Sequence, residues 1–129
     1  MEFDQPHRDY LRYLTLLLAV EEWAPLWEVE RQVEQMSRFA SAGEARRIAR
    51  NIVEELIRDG FVRLVRTAGP GKRNRAVRLP DAEVLDANVS WSKPVGNATM
   101  VVLEATPAGE VTFVKPGYWN VEPPTDLNS

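Results

Sequence analysis

The sequence predicts an α+β fold in which helices come first and strands follow. Three observations carry this. An amphipathic stretch from about residue 42 to 59 sits between a helix-start signal and a glycine. Two strand-like runs, Phe61–Arg66 and Arg75–Leu79, flank a basic turn with two glycines. Two further segments with helical apolar spacing precede them, from His7 to about Glu22 and from Pro25 to about Met36.

In the central helix, Ser41-Ala42-Gly43-Glu44 has the S-x-x-E form, in which the Ser hydroxyl and the Glu carboxylate satisfy each other's amides. Ala45, Ile48, Ala49, Ile52, Val53, Leu56 and Ile57 then recur at helical spacing and draw one apolar stripe. Gly60 suits the C′ position, which takes a left-handed backbone. The runs on either side of Thr67–Asn74 read as a β-hairpin, closed by Pro80.

In the first helix, Tyr10, Leu11, Leu14, Leu17 and Leu18 form the expected buried face. The run Leu14–Val20 is apolar nearly all round, so this helix is central or also covers a partner chain. Trp23-Ala24 reads as a connector, and Pro25 as the first residue of the second helix. Leu26, Val29, Val33 and Met36 give that helix its inward face.

Beyond Pro80 the expectation is one helical turn at Asp81–Asp86 and a loop around Trp91. A strand over Thr99–Ala105 follows. Thr106-Pro107-Ala108-Gly109 fits a type I turn, with Pro at its second position. Glu110–Lys115 would then return as the paired strand, giving an additional C-terminal β-hairpin. This divides the chain into a domain over residues 1–80 and an extension with a tail over 81–129. Trp91 and Trp119 are expected to anchor the extension.

Charge is unevenly spread. Residues 38–78 hold eleven Lys or Arg against four Asp or Glu, a balance of +7. The whole chain is −3, which leaves −10 on the remainder. Such asymmetry points to an anionic partner.

Three helices and a hairpin, with the third helix and the hairpin loop basic, resemble the winged helix-turn-helix superfamily over roughly residues 7–80. The most specific piece is Val53-Glu54-Glu55-Leu56-Ile57-Arg58-Asp59-Gly60-Phe61-Val62, similar to the junction between recognition helix and wing. The resemblance implies a recognition helix at about 42–59 in the major groove and a wing at 61–79 on the backbone. Arg46, Arg47, Arg50 and Asn51 would then face the bases, since Arg binds guanine and Asn binds adenine bidentately. Lys72, Arg73 and Arg75 would lie at the loop tip, on phosphates or in the minor groove. The implied function is sequence-specific binding of double-stranded DNA in transcription regulation, by a homodimer, because one short helix reads few base pairs. DNA binding calls for those four helix residues exposed on one positive surface with Lys72 and Arg73. The alternative is a winged-helix protein-interaction module with an acidic protein partner. That alternative includes a subunit of a larger complex. If the arginines only solvate a face, Glu54, Glu55 and Asp59 pair with Arg50, Arg58 or Arg63. DNA binding fails if the helix arginines are tied up by those acids or covered by residues 81–129.

Catalytic chemistry is not expected. His7 is the only histidine and lies near a terminus, where a surface or capping role fits it best, and there is no cysteine. A Ser-His-Asp triad would have to use His7, and a transition-metal site would have one His and no Cys to draw on, so neither is expected. Gly69-Pro70-Gly71-Lys72 departs from a phosphate-binding loop: Arg73 follows the lysine, and Thr67 stands where the first glycine belongs. No cofactor is expected. Leu14–Val20 is too short to span a membrane, and the first eight residues lack a signal peptide's features. The expected location is cytoplasmic.

Overall fold

The computed structural model of the chain describes residues 5–36, 42–66, 77–78, 81–93 and 101–114. The fold is α+β. Its elements in order are α1 (Gln5–Glu21), β1 (Ala24–Pro25), α2 (Leu26–Met36), α3 (Ala42–Arg58), β2 (Val62–Arg66), β3 (Val77–Arg78), α4 (Asp81–Asp86), β4 (Val101–Ala105) and α5 (Pro107–Val114). A single 3-10 turn, Asn88–Trp91, follows α4.

The three long helices end close to where the apolar spacing places them. Helix α3 stops as its sequence requires. Gly60 has φ 80°, its N–H donates to Ile57 O at 2.9 Å, and Phe61 N–H donates to Leu56 O at 3.0 Å. This pair of bonds is the Schellman arrangement, and Phe61 then packs on the core beside Leu56. The cap expected at Ser41 lies outside the described residues.

Helix α1 is rotated from its predicted face. It buries His7, Leu11, Thr15, Leu16 and Ala19, while Tyr10, Leu14, Leu17 and Leu18 are only partly buried. Periodicity could not fix the face, because Leu14–Val20 is apolar on every side. His7, expected at the surface, is 3% exposed.

The sheet is antiparallel in the order β1-β4-β2-β3. The connector expected at Trp23-Ala24 supplies half of β1: Ala24 pairs with Leu103 and Pro25 with Val102. Pro25 cannot donate to a ladder, and it sits on an edge strand. The expected hairpin at 61–79 pairs at two positions, Val65 with Arg78 and Arg66 with Val77. Its loop lies outside the described residues. The other edge of β2 runs along β4 for five pairs, from Val62–Ala105 to Arg66–Val101.

The C-terminal hairpin is not formed. Residues 107–109, expected in its turn, and 110–114, expected in its second strand, are helix α5 (Pro107–Val114). Thr106 caps that helix: its Oγ1 accepts from Gly109 N–H at 3.0 Å, and its carbonyl accepts from Glu110 N–H at 2.9 Å. Pro107 therefore occupies the first helical position. Proline's fixed φ suits both that position and the second position of a type I turn. Strand β4 could not have paired with a following strand in any case, since β1 and β2 take both its edges.

Side chains alternate across the sheet as the pleat demands. Val62, Leu64, Val101, Leu103 and Ala105 face the helices and join the main core with Leu11, Leu16, Leu26, Val29, Ile52 and Leu56. On the other face Val65 and Val102 pack under Trp23. Beside them Arg63 Nε donates to Glu104 Oε1 at 3.0 Å. Burial on both faces explains why Val101-Val102-Leu103 of β4 reads as a continuous apolar run. Val84, Leu85 and Trp91 belong to the main core, and the Trp91 indole N–H donates to Leu85 O at 3.1 Å.

Candidate nucleic-acid interface

Helix α3 separates the four residues expected on one face. Ala45, Ala49, Ile52, Val53 and Leu56 are buried. At 3.6 residues per turn the opposite side falls on Gly43, Arg47, Asn51, Glu54 and Arg58, and all five are exposed. Arg46 and Arg50 lie on the flank that faces α2 and residues 81–91, and both are half-buried.

Each flanking arginine is held by carboxylates. The Arg46 Nε is paired with Glu30 of α2, and its guanidinium lies 5.1 Å from the centre of the Trp91 ring. The Arg50 Nε bonds Glu54 at 3.2 Å, and its Nη1 is paired with Asp86 at the end of α4. The hydrogen bond to Asp86 outweighs desolvation and raises the Arg50 pKa above its ordinary value. Two of the four helix residues thus meet the exposure that DNA contact requires, and two do not. Lys72, Arg73 and Arg75 lie outside the described residues.

The opposite flank of α3 is tied to α1. Arg8 is paired with Glu55. Arg12 bonds Glu55 at 2.9 Å and Asp59 at 2.8 Å. Burial lowers the Arg12 pKa, but the bonds to Asp59 and Glu55 outweigh it and the net shift is upward. Of the pairs expected for these acids, Glu54 with Arg50 is present, while Glu55 and Asp59 hold arginines of α1 rather than Arg58 or Arg63. Arg46 and Arg50 thus meet the condition that counts against their contacting DNA: carboxylates hold them, and Trp91 and Asp86 lie against them. Glu55→Gln leaves two cations facing a neutral amide in a partly buried network. The expected cost is about 1 kcal/mol of unfolding free energy, read by urea denaturation and reduced at high salt.

Sequence reasoning missed two things. Arg58 joins the outward stripe, seven residues after Asn51, and spacing alone could have placed it there. Asp86 and Trp91 act on Arg50 and Arg46 from 36 residues or more away, and no local pattern announces them. Arg66, at the end of β2, is exposed. Among the described residues no three His, Asp or Glu side chains are grouped to hold a metal ion, and no helix is long and apolar enough to cross a membrane.

No protein-family model, curated protein or solved structure matches the chain.

Proposed function

We propose that the chain is a winged helix-turn-helix protein that binds double-stranded DNA through α3 and regulates transcription as a homodimer, without catalysis, in the cytoplasm. The observation that carries this reading is the outward stripe of α3, where Arg47, Asn51 and Arg58 are exposed. These are side chains suited to base edges and phosphates. Arg46 and Arg50 brace the helix against α2 and α4 and are not its reading residues. The antiparallel pairing of β2 with β3, Val65 with Arg78 and Arg66 with Val77, supports a wing within residues 61–79. The stretch of sequence between those two strands is residues 67–76. The basic cluster Lys72, Arg73 and Arg75 falls within it.

A protein-interaction module is the second reading, and one observation favours it. Val111 and Val114 of α5 are 67% and 73% exposed, next to Phe113, which stacks on Tyr13 at 5.7 Å. The outward face of α3 is also balanced in charge, with Glu44 and Glu54 beside Arg47 and Arg58.

Fluorescence anisotropy with random duplex DNA at several salt concentrations separates the two. DNA binding is expected to weaken with salt at a log–log slope of about −4, which is four or five phosphate contacts. Arg47→Ala is expected to weaken binding about tenfold while changing stability by less than about 0.5 kcal/mol. Absence of binding at the lowest salt would give the α3 surface to a protein partner.

A further inference from the structure

Helix α4 places a carboxylate against Arg50, the flanking arginine of α3 that lies nearer the outward stripe. Val84 and Leu85 are buried, and Trp91 is locked to Leu85 O by its indole N–H. Asp86 is the next residue after Leu85. Its position is therefore fixed by the core, although its own side chain is 66% exposed. Arg50 is 32% exposed and also holds Glu54. A pair this exposed is weak and open to exchange. A phosphate oxygen offers Arg50 the same charge-assisted bonds that the Asp86 carboxylate does.

We propose that residues 81–91 are an autoinhibitory cap, in which Asp86 competes with nucleic-acid phosphate for Arg50 and attenuates binding by α3. The inference rests on the reading of α3 as a nucleic-acid helix. The cap follows β3 in the stretch of sequence between β2 and β4, which also carries the basic cluster ahead of β3. One segment thus supplies both cations for the polyanion and the anion that holds it off. The core residues around Asp86 do not move when the pair opens; only the Arg50 side chain swings toward the stripe.

The test compares Asp86→Asn with Glu83→Gln in the full chain. Glu83 is exposed on the same short helix. The two substitutions change net charge equally, but only the first removes the partner of Arg50. With random duplex at low salt, Asp86→Asn is expected to tighten binding about three- to tenfold. It should also steepen the log–log salt slope by about 0.9, the value of one added phosphate contact. Glu83→Gln is expected to change affinity less than twofold with the slope unchanged. Adding Arg50→Ala to Asp86→Asn should return the affinity to the parent level. Equal effects of the two single substitutions, with the parent still binding, would overturn the cap and leave the DNA reading intact. Binding by Asp86→Asn alone would support the cap strongly. No binding by any form would overturn the DNA reading, and the cap with it.

Discussion

A chain cut after residue 80 is expected to remain unfolded. The cut removes β4, the strand that joins β1 to β2. Ala24 and Pro25 lose their partners, and β2 keeps only its two pairs to β3. The cut also removes Val84, Leu85, Trp91, Val101, Val102, Leu103 and Ala105 from the two apolar clusters. Burial of a Val- or Leu-sized side chain contributes about 1.5–3 kcal/mol. The loss is therefore comparable to the whole of the roughly 5–15 kcal/mol by which a domain is stable. The helices cannot compensate, because Leu64, Leu11 and Leu16 would face water where β4 had been. Circular dichroism with amide NMR checks this: narrow shift dispersion and no cooperative melt are expected. A folded 1–80 fragment would mean that the sheet is dispensable to the helices.

Gly109→Ala is expected to destabilise the chain by about 3 kcal/mol, at the upper end for overpacking. A Cβ at this position would fall on the carbonyl oxygen of Phe61, 2.9 Å from the carbonyl carbon and 3.1 Å from Cα. All three are backbone atoms, so no side-chain rotation relieves the clash. Nor can α5 shift cheaply. Thr106 N–H donates to that same Phe61 oxygen at 3.0 Å, and Thr106 Oγ1 donates to Gly60 O at 2.6 Å. Those bonds fasten the start of α5 to the end of α3, and separating the two elements breaks both. Thermal melts should show Tm lowered by roughly 10 °C for a chain of this size. Gly43→Ala is the control, since a Cβ there meets nothing within 4 Å. An exposed helical glycine replaced by alanine is neutral or stabilising.

The helical half of the fold was legible because its signals are local. Leu26, Val29, Val33 and Met36 sit three or four apart, and the structure buries all four. Gly60 ends α3 for a reason written in the residue itself. The errors fall where two local meanings coincide. Thr106-Pro107-Ala108-Gly109 opens a helix or turns a hairpin with equal ease. The choice was settled by β1 and β2, which occupy both edges of β4. The site divides in the same way. Arg47 and Asn51 follow from helical spacing and stand outward. Arg46 and Arg50 share the polar character of Arg47 and Asn51, yet the flank they occupy is defined by Glu30, Asp86 and Trp91. A contact made across 36 residues leaves no period in the sequence.

Strand β4 also governs the order in which this chain can fold. It pairs with Ala24 near the start of the chain and is itself made late. Helices close local contacts early, whereas the sheet requires a long loop to be closed first, and such topologies fold slowly. During synthesis the first hundred residues hold their apolar faces without the strand that covers them. Residues 1–100 carry fifteen Lys or Arg and fifteen Asp or Glu, so net charge supplies no repulsion to keep that waiting intermediate dispersed. The interval before β4 emerges is therefore when the nascent chain is most exposed to aggregation and most dependent on chaperones.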